Sequence, residues 1–243
     1  MRGYIIFEMK TEQYLDSTFL TLFNDFDGNK IEFENKIIQL VQDAIEYNFK
    51  LVMIRSNYLE LAKKIIEKHK SDVLLGTVVD FPLGTSSTQL KLTEALKSIK
   101  LGTNELDFVC DYNSFKQKRF KKFDNDIISC TKLSLENNND VKWIIETGAL
   151  SDDEVKNICS RISLLINNNF ASSLKKIFLK TSTGYYGGFG ATIEDIKLMK
   201  TWSKGMLIKA SGGISNYFQF KKMLESGADR VGTSNAVNIF LKK

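Results

Sequence analysis

The chain has 243 residues, 43% hydrophobic and 26% charged, with 34 basic against 29 acidic side chains and so a net charge of +5. This is an ordinary composition for a soluble globular protein, long enough to bury a large core in one or two domains. It excludes a membrane-spanning helix, since no stretch reaches the ~18 unbroken apolar residues one requires. The opening "MRGYIIFEMKTEQYL" has an apolar run too short and too interrupted by charge for a secretory signal.

Taken in chain order, eight apolar runs read as strands: "QYLDST" near Gln13, "KLVMIR" from Lys50, "VLLGTVV" from Val73, "ELDFVC" from Glu105, "VKWIIET" from Val141, "KIFLKT" from Lys176, "MLIKAS" from Met206 and "DRVGTS" from Asp229. Most are continuous rather than alternating, as expected of parallel strands covered on both faces. Helical patterns lie between them. "FENKIIQLVQDAIEY" from Phe33 puts Ile37, Leu40, Val41, Ala44 and Ile45 on one face, and "SDDEVKNICSRISLLI" opens on an N-cap serine, Ser151, with acidic residues in its first turn. "ATIEDIKLMKTW" and "NYFQFKKMLESG" supply two more, the latter closing at Gly227 with a C-cap signature. Eight strand–helix units in this length predict an α/β protein, a single (β/α)8 TIM barrel spanning residues 1–243. A doubly wound open sheet is the alternative, but no G-x-G-x-x-G follows the first strand. Asparagine-rich pieces, Glu136 to Asp140 and Asn167 to Asn169, precede strands and are expected as loops on the lower face. The glycine- and threonine-rich pieces follow strands, on the upper face where such barrels hold their active sites.

The only histidine, His69, lies at the charged end of a helical segment, where a surface role is expected. Acid–base work therefore falls to Lys, Asp, Glu or Tyr, and a catalytic triad or histidine-rich metal site is excluded. Cys110, Cys130 and Cys159 have no metal-binding spacing, and a reducing cytoplasm is the simple reading. The basic cluster "FKQKRFKKF", Phe115 to Phe123, reads as a solvated helix face rather than a nucleic-acid strip.

Two strands carry a lysine inside an apolar run, Lys180 in "KIFLKT" and Lys209 in "MLIKAS", each followed by small residues. Strand periodicity sets Lys180 with Phe178 and Lys209 with Leu207, opposite the aliphatic residues that face the helices. Both lysines should then point into the barrel mouth, where the same rule brings Asp107 of "ELDFVC". A lysine at a strand end can simply snorkel to solvent or pair with a carboxylate. The functional alternative is an amine whose pKa falls in a partly desolvated pocket beside a second ammonium, so that it attacks a carbonyl while Asp107 moves protons. "SGG" (Ser211 to Gly213) and "GTS" (Gly232 to Ser234) follow the seventh and eighth strands, the usual phosphate-cradling position, and "TSTG" (Thr181 to Gly184) adds hydroxyls. Ordinary strand-to-helix turns are the competing reading.

In order along the chain, "LDSTFL", "VVDFPLGTSSTQLKLTEA", "NELDFV", "VKWIIETGALSDDEV", "FLKTSTG", "GATIEDIKLM", "IKASGGI" and "GADRVGTS" resemble the deoxyribose-phosphate aldolase family nearly end to end. The resemblance implies a class I aldolase without metal or organic cofactor. It would reversibly cleave 2-deoxy-D-ribose 5-phosphate to glyceraldehyde 3-phosphate and acetaldehyde. It implies Lys180 as Schiff-base lysine, Lys209 as its perturbing partner and Asp107 as proton relay. Thr183, Gly184, Gly212, Gly213, Gly232 and Ser234 would cradle the phosphate, with Asp16 and Thr18 in support. Phosphosugar and aldehyde substrates, and a homodimer, are the partners implied; neither nucleic acid nor membrane is. The chain departs from the family's pattern in a longer loop, Tyr185 to Gly190, in Met53 where a cysteine is common, in Ser56 near a usual proline, and in Asn235 after "GTS". A Schiff-base aldolase for another phosphosugar and a non-catalytic phosphosugar binder are the other functions considered.

Overall fold

The computed structural model describes residues 10–243, so most of the apolar run weighed as a targeting signal lies outside the described residues. Eight parallel strands close a barrel in sequence order: β1 (Leu15–Phe19), β2 (Leu51–Ile54), β3 (Leu74–Val79), β4 (Glu105–Val109), β5 (Asp140–Ile144), β6 (Ile177–Lys180), β7 (Leu207–Ser211) and β8 (Arg230–Thr233). Around it run α1 (Lys30–Glu46), α2 (Leu59–Lys68), α3 (Thr88–Lys100), α4 (Tyr112–Lys116), α5 (Phe120–Glu136), α6 (Asp152–Phe170), α7 (Ile193–Trp202), α8 (Tyr217–Glu225) and α9 (Ala236–Leu241).

Local chemistry sets the helix boundaries. Asn29 and Glu32 form a capping box at the start of α1, and Ser151 and Glu154 form another at α6. Gly227 takes φ +112° just after α8, the left-handed turn that glycine adopts without a side-chain clash. Two expectations shift. Gln13 and Tyr14 fall in a 3-10 turn before β1 rather than in the strand. Asn167 and Asn169 are not loop but the last turns of α6, because each side-chain amide donates to the carbonyl one turn earlier, Ser163 and Leu165. The basic cluster is solvated as expected but is not one helix face: it spans the end of α4, a turn holding Lys118 at φ +59° and the start of α5. Phe115 packs on Phe120 and Phe123 at 5.8 and 5.3 Å while Lys116, Lys118 and Lys121 face solvent. Exposed His69 ends α2, its ring nitrogen against the Ile65 carbonyl.

Outward strand residues such as Val52, Phe108, Trp143, Leu179, Ile208 and Val231 join Ile37, Val41, Ile162 and Ile196 of the helices in the main core. The inward residues divide sharply. Leu51, Met53 and Val78 from β2 and β3, with Leu20 above β1, form a separate apolar cluster. The other strands turn inward Asp16, Glu105, Asp107, Lys142, Lys180, Lys209 and Arg230, all buried. Parallel register sets Lys180 beside Lys209 and Asp107 beside Lys142.

Candidate active site

Asp107 is the centre of the charged half. Its Oδ2 accepts from Lys180 at 2.9 Å and from Lys209 at 3.0 Å, while Lys142 grips Oδ1 at 3.0 Å. Asp16 takes Lys209 at 2.6 Å and accepts from Arg230 Nε at 2.8 Å; Glu105 closes the network onto Lys142 and Arg230. Asp16 is thus a direct partner of Lys209, and Thr18 supports it by donating from Oγ1 to its carbonyl at 2.9 Å. The directly bonded network holds three carboxylates and four cations, so within it one cation is in surplus.

The surplus falls on Lys180. Burial, opposed by Asp107 and reinforced by Lys209, lowers its pKa to about 8. Roughly a tenth of such an amine is free at pH 7, against about one in three thousand for an unperturbed lysine. Burial rather than the second ammonium is the larger cause, so the crowding expected from the sequence is the lesser effect. Burial also works against ionising both aspartates, but is outweighed. Lys142, Lys180 and Lys209 hold Asp107 well below the usual carboxylate range, and Arg230 and Lys209 hold Asp16 at about 2. Lys142 is kept charged by Asp107 and Glu105 despite its burial.

Above the lysines opens a cavity of about 380 Å³ lined by Thr18, Lys180, Lys209 and the turns after β6, β7 and β8. Thr183, Gly184, Gly212, Gly213, Gly232, Ser234 and Asn235 all line it, so the residues grouped from sequence do converge. Their parts differ. A Cβ on Gly212 would lie 2.9 Å from the Gly190 Cα, and one on Gly190 would meet the Gly212 carbonyl at 2.4 Å, so these two turns pack backbone on backbone. Gly232 faces the barrel interior, where a Cβ would sit 2.9 Å from Lys209 Cε. Its missing side chain is the space through which the Lys209 stem passes. The Thr183 hydroxyl donates to Glu146 and accepts from the Tyr185 amide at 3.0 Å, so its proton is already committed within the protein. Ser234 is exposed, and its hydroxyl accepts from the Asn235 amide at 3.3 Å.

The departing positions also find places. Met53 is fully buried in the apolar half, with its methyl filling the space over Gly76, and Ser56 opens a short 3-10 turn. In the Tyr185–Gly190 loop, Tyr185 packs edge-on to Phe81 at 5.3 Å and Tyr186 faces Tyr112 at 6.4 Å. All three cysteines are buried; burial pushes Cys130 and Cys159 up to about 12 and Cys110 well above its ordinary value. Among the described residues, no group of three or more His, Cys, Asp or Glu could hold a metal ion, and no helix is long and apolar enough to cross a membrane.

Sequence reasoning missed Lys142, Glu105, Arg230 and Glu146. The first three carried a readable signal. Each is a charge inside a strand-like run, at the same parity as Asp107, Ile144 or Gly232.

A closed parallel barrel whose upper mouth opens onto a buried lysine of lowered pKa defines a lysine-centred class of (β/α)8 barrel. No family model matches the chain. It is, however, 38% identical over 204 residues to deoxyribose-phosphate aldolase of Thermococcus kodakarensis, covering 84% of this chain and 87% of that protein. Against the deoxyribose-phosphate aldolase of Mycoplasmopsis pulmonis it is 38% identical over 231 residues, 94% of both chains. The crystallised deoxyribose phosphate aldolase of Aeropyrum pernix, described as tetrameric, superposes with a TM-score of 0.78 at 26% identity, over 95% of this chain and 89% of that one. The chain belongs to the deoxyribose-phosphate aldolase family.

Proposed function

We propose that the protein reversibly cleaves 2-deoxy-D-ribose 5-phosphate to D-glyceraldehyde 3-phosphate and acetaldehyde through a Schiff base on Lys180, in the cytoplasm and in the service of deoxyribonucleoside catabolism. The observation that carries this reading is the lowered pKa of an amine, 3% exposed, at the floor of the cavity. Free Lys180 Nζ attacks the C1 carbonyl of the open-chain sugar, and the carbinolamine loses water to give an iminium ion. Loss of the C3 hydroxyl proton then breaks the C2–C3 bond, whose electron pair moves into the iminium to form an enamine. Protonation at C2 and hydrolysis release acetaldehyde and restore the amine.

Asp107 suits the proton traffic, because one oxygen lies within hydrogen-bond reach of both Lys180 and Lys209. Resting Asp107 is ionised, so it accepts a proton from one side and returns it through Lys209 or water. The turns after β7 and β8, together with Gly184, would hold the phosphate chiefly through backbone N–H groups, since among the described residues the only charged ones lining the cavity are the two lysines.

Borohydride reduction in the presence of 2-deoxy-D-ribose 5-phosphate, followed by peptide mapping, tests this. A reduced adduct on the peptide holding Lys180, dependent on substrate, is expected. An adduct on Lys209 would reverse the two lysine roles. Folded protein that binds the phosphosugar without trapping would be a non-catalytic binder. Clear preference for this sugar over ketose bisphosphates separates the reading from another Schiff-base aldolase.

A further inference from the structure

Among the described residues, seven non-glycine residues have positive φ. Asn48, Lys70, Lys118, Asn138 and Lys204 are exposed at helix ends, where a left-handed residue is routine. The other two, Asp80 and Glu146, are acidic and follow β3 and β5 on the upper face. Asp80 binds its own loop: one oxygen accepts from the Ser86 amide at 2.8 Å and the other from the Ser86 hydroxyl at 2.8 Å. Glu146, at φ +58° and ψ +67°, takes the same pair of donors from a different loop, 37 residues away. Its carboxylate accepts from the Thr183 amide at 3.2 Å and from the Thr183 hydroxyl.

Such a residue is costly twice over. A left-handed glutamate stores backbone strain. Its side chain is also 1% exposed, and among the described residues no cation forms an ion pair with it. Burial accordingly pushes its carboxyl above the usual range, only partly offset by Thr183 and, to a lesser extent, by the charge of Lys180. Strain and an unpaired buried carboxylate together call for a task, and the geometry supplies one. The Thr183 hydroxyl that donates to Glu146 accepts in turn from the Tyr185 amide, and Thr183, Gly184 and Tyr185 all line the cavity. Gly184 also lies close against Gly212, where an added Cβ would come within 3.6 Å of the Gly184 Cα.

We propose that Glu146 is a positioning residue for the phosphate end of the cavity: from the turn after β5 it clamps Thr183, and through it fixes the glycine-rich turn after β6 against the turn after β7. Glu146 does not line the cavity and touches no reacting atom; it acts through Thr183. This rests on the aldolase reading for its kinetic consequence, but not for its structural one.

The test compares wild type, Glu146→Ala and Thr183→Val, which removes the other end of the same contact and covers the case in which the first variant fails to fold. Amide exchange is the readout that needs no substrate. In Glu146→Ala the Thr183 and Tyr185 amides should lose protection, while strand amides keep theirs. In the cleavage assay both variants should raise KM for 2-deoxy-D-ribose 5-phosphate about tenfold with kcat within about threefold. Borohydride trapping of acetaldehyde on Lys180, which needs no phosphate contact, should still occur in Glu146→Ala. Unaltered protection of both amides would overturn the proposal, as would a loss of kcat at constant KM. Absence of acetaldehyde trapping in wild type would instead fault the aldolase reading, leaving the exchange comparison to decide the clamp.

Discussion

The two halves of the barrel interior are built on opposite principles. Around β2 and β3, Leu20, Leu51, Met53 and Val78 fill the space with apolar side chains and leave no charge. Across from them, three carboxylates and four cations are buried in one network. Each half explains the other. A dry wall on one side strengthens every electrostatic term opposite, since a low local dielectric penalises any charge without a partner. The network cannot neutralise four cations with three carboxylates, and Lys180, one of the two lysines that line the cavity, is the one whose pKa is lowered, to about 8. Burial within this network, more than the surplus of positive charge, is what lowers the Lys180 pKa.

The sharpest way to break the contrast is to remove the surplus cation. Lys180→Ala should abolish turnover while leaving a folded barrel, because it balances the remaining charges at three and three. Its stability–pH profile should change as well. Lys180 has a folded pKa near 8, below its unfolded value of 10.5. The penalty for keeping it protonated is therefore complete below pH 8, and wild-type stability rises between pH 8 and 10.5 as the native state alone has released the proton. Chemical denaturation across that window should show the rise in wild type and not in the variant.

Asp107→Asn attacks the hub instead. It leaves Lys142, Lys180 and Lys209 around a neutral amide, and turnover should fall by about 10²-fold or more, with phosphosugar binding retained. Steady-state rates alongside ligand protection against thermal unfolding would check both. Lys142→Met should have a smaller catalytic effect, since Lys142 does not line the cavity, but a stability cost of about 3 kcal/mol for breaking a buried ion pair, with Glu105 left to Arg230 and Asp107 to Lys180 and Lys209. Losing that neighbouring positive charge raises the Lys180 pKa, so the acid limb of kcat/KM should move to higher pH. Least disruptive is Met53→Leu in the apolar half. A volume-conserving change there should cost less than about 1.5 kcal/mol by denaturant melts, and leave that acid limb where it was.

Much of this was legible in the sequence. Continuous apolar runs and helix caps such as Ser151 specify the barrel locally, and parity alone carried Asp107, Lys180 and Lys209 inward. The same parity marks Glu105, Lys142 and Arg230, whose charges belong to the interior as firmly as those of the two lysines. Other features were not readable in principle. Gly232 looked like a turn glycine, yet it makes room for a side chain on the adjacent strand. Glu146 takes its left-handed backbone alongside a contact 37 residues away, and no local pattern announces that. The NNN tract misled because side-chain amides that usually favour loops instead bonded back to the helix.

The central claim is that burial in the charged half leaves Lys180 readily deprotonated, and titrating that amine tests it most directly. The 13Cε signal of Lys180 in lysine-labelled protein, assigned by its absence in Lys180→Ala, can be followed by NMR from pH 6 to 11. A midpoint near 8 is the predicted result. A midpoint at or above the ordinary lysine value of 10.5 would show that Asp107 outweighs burial, and would contradict the account.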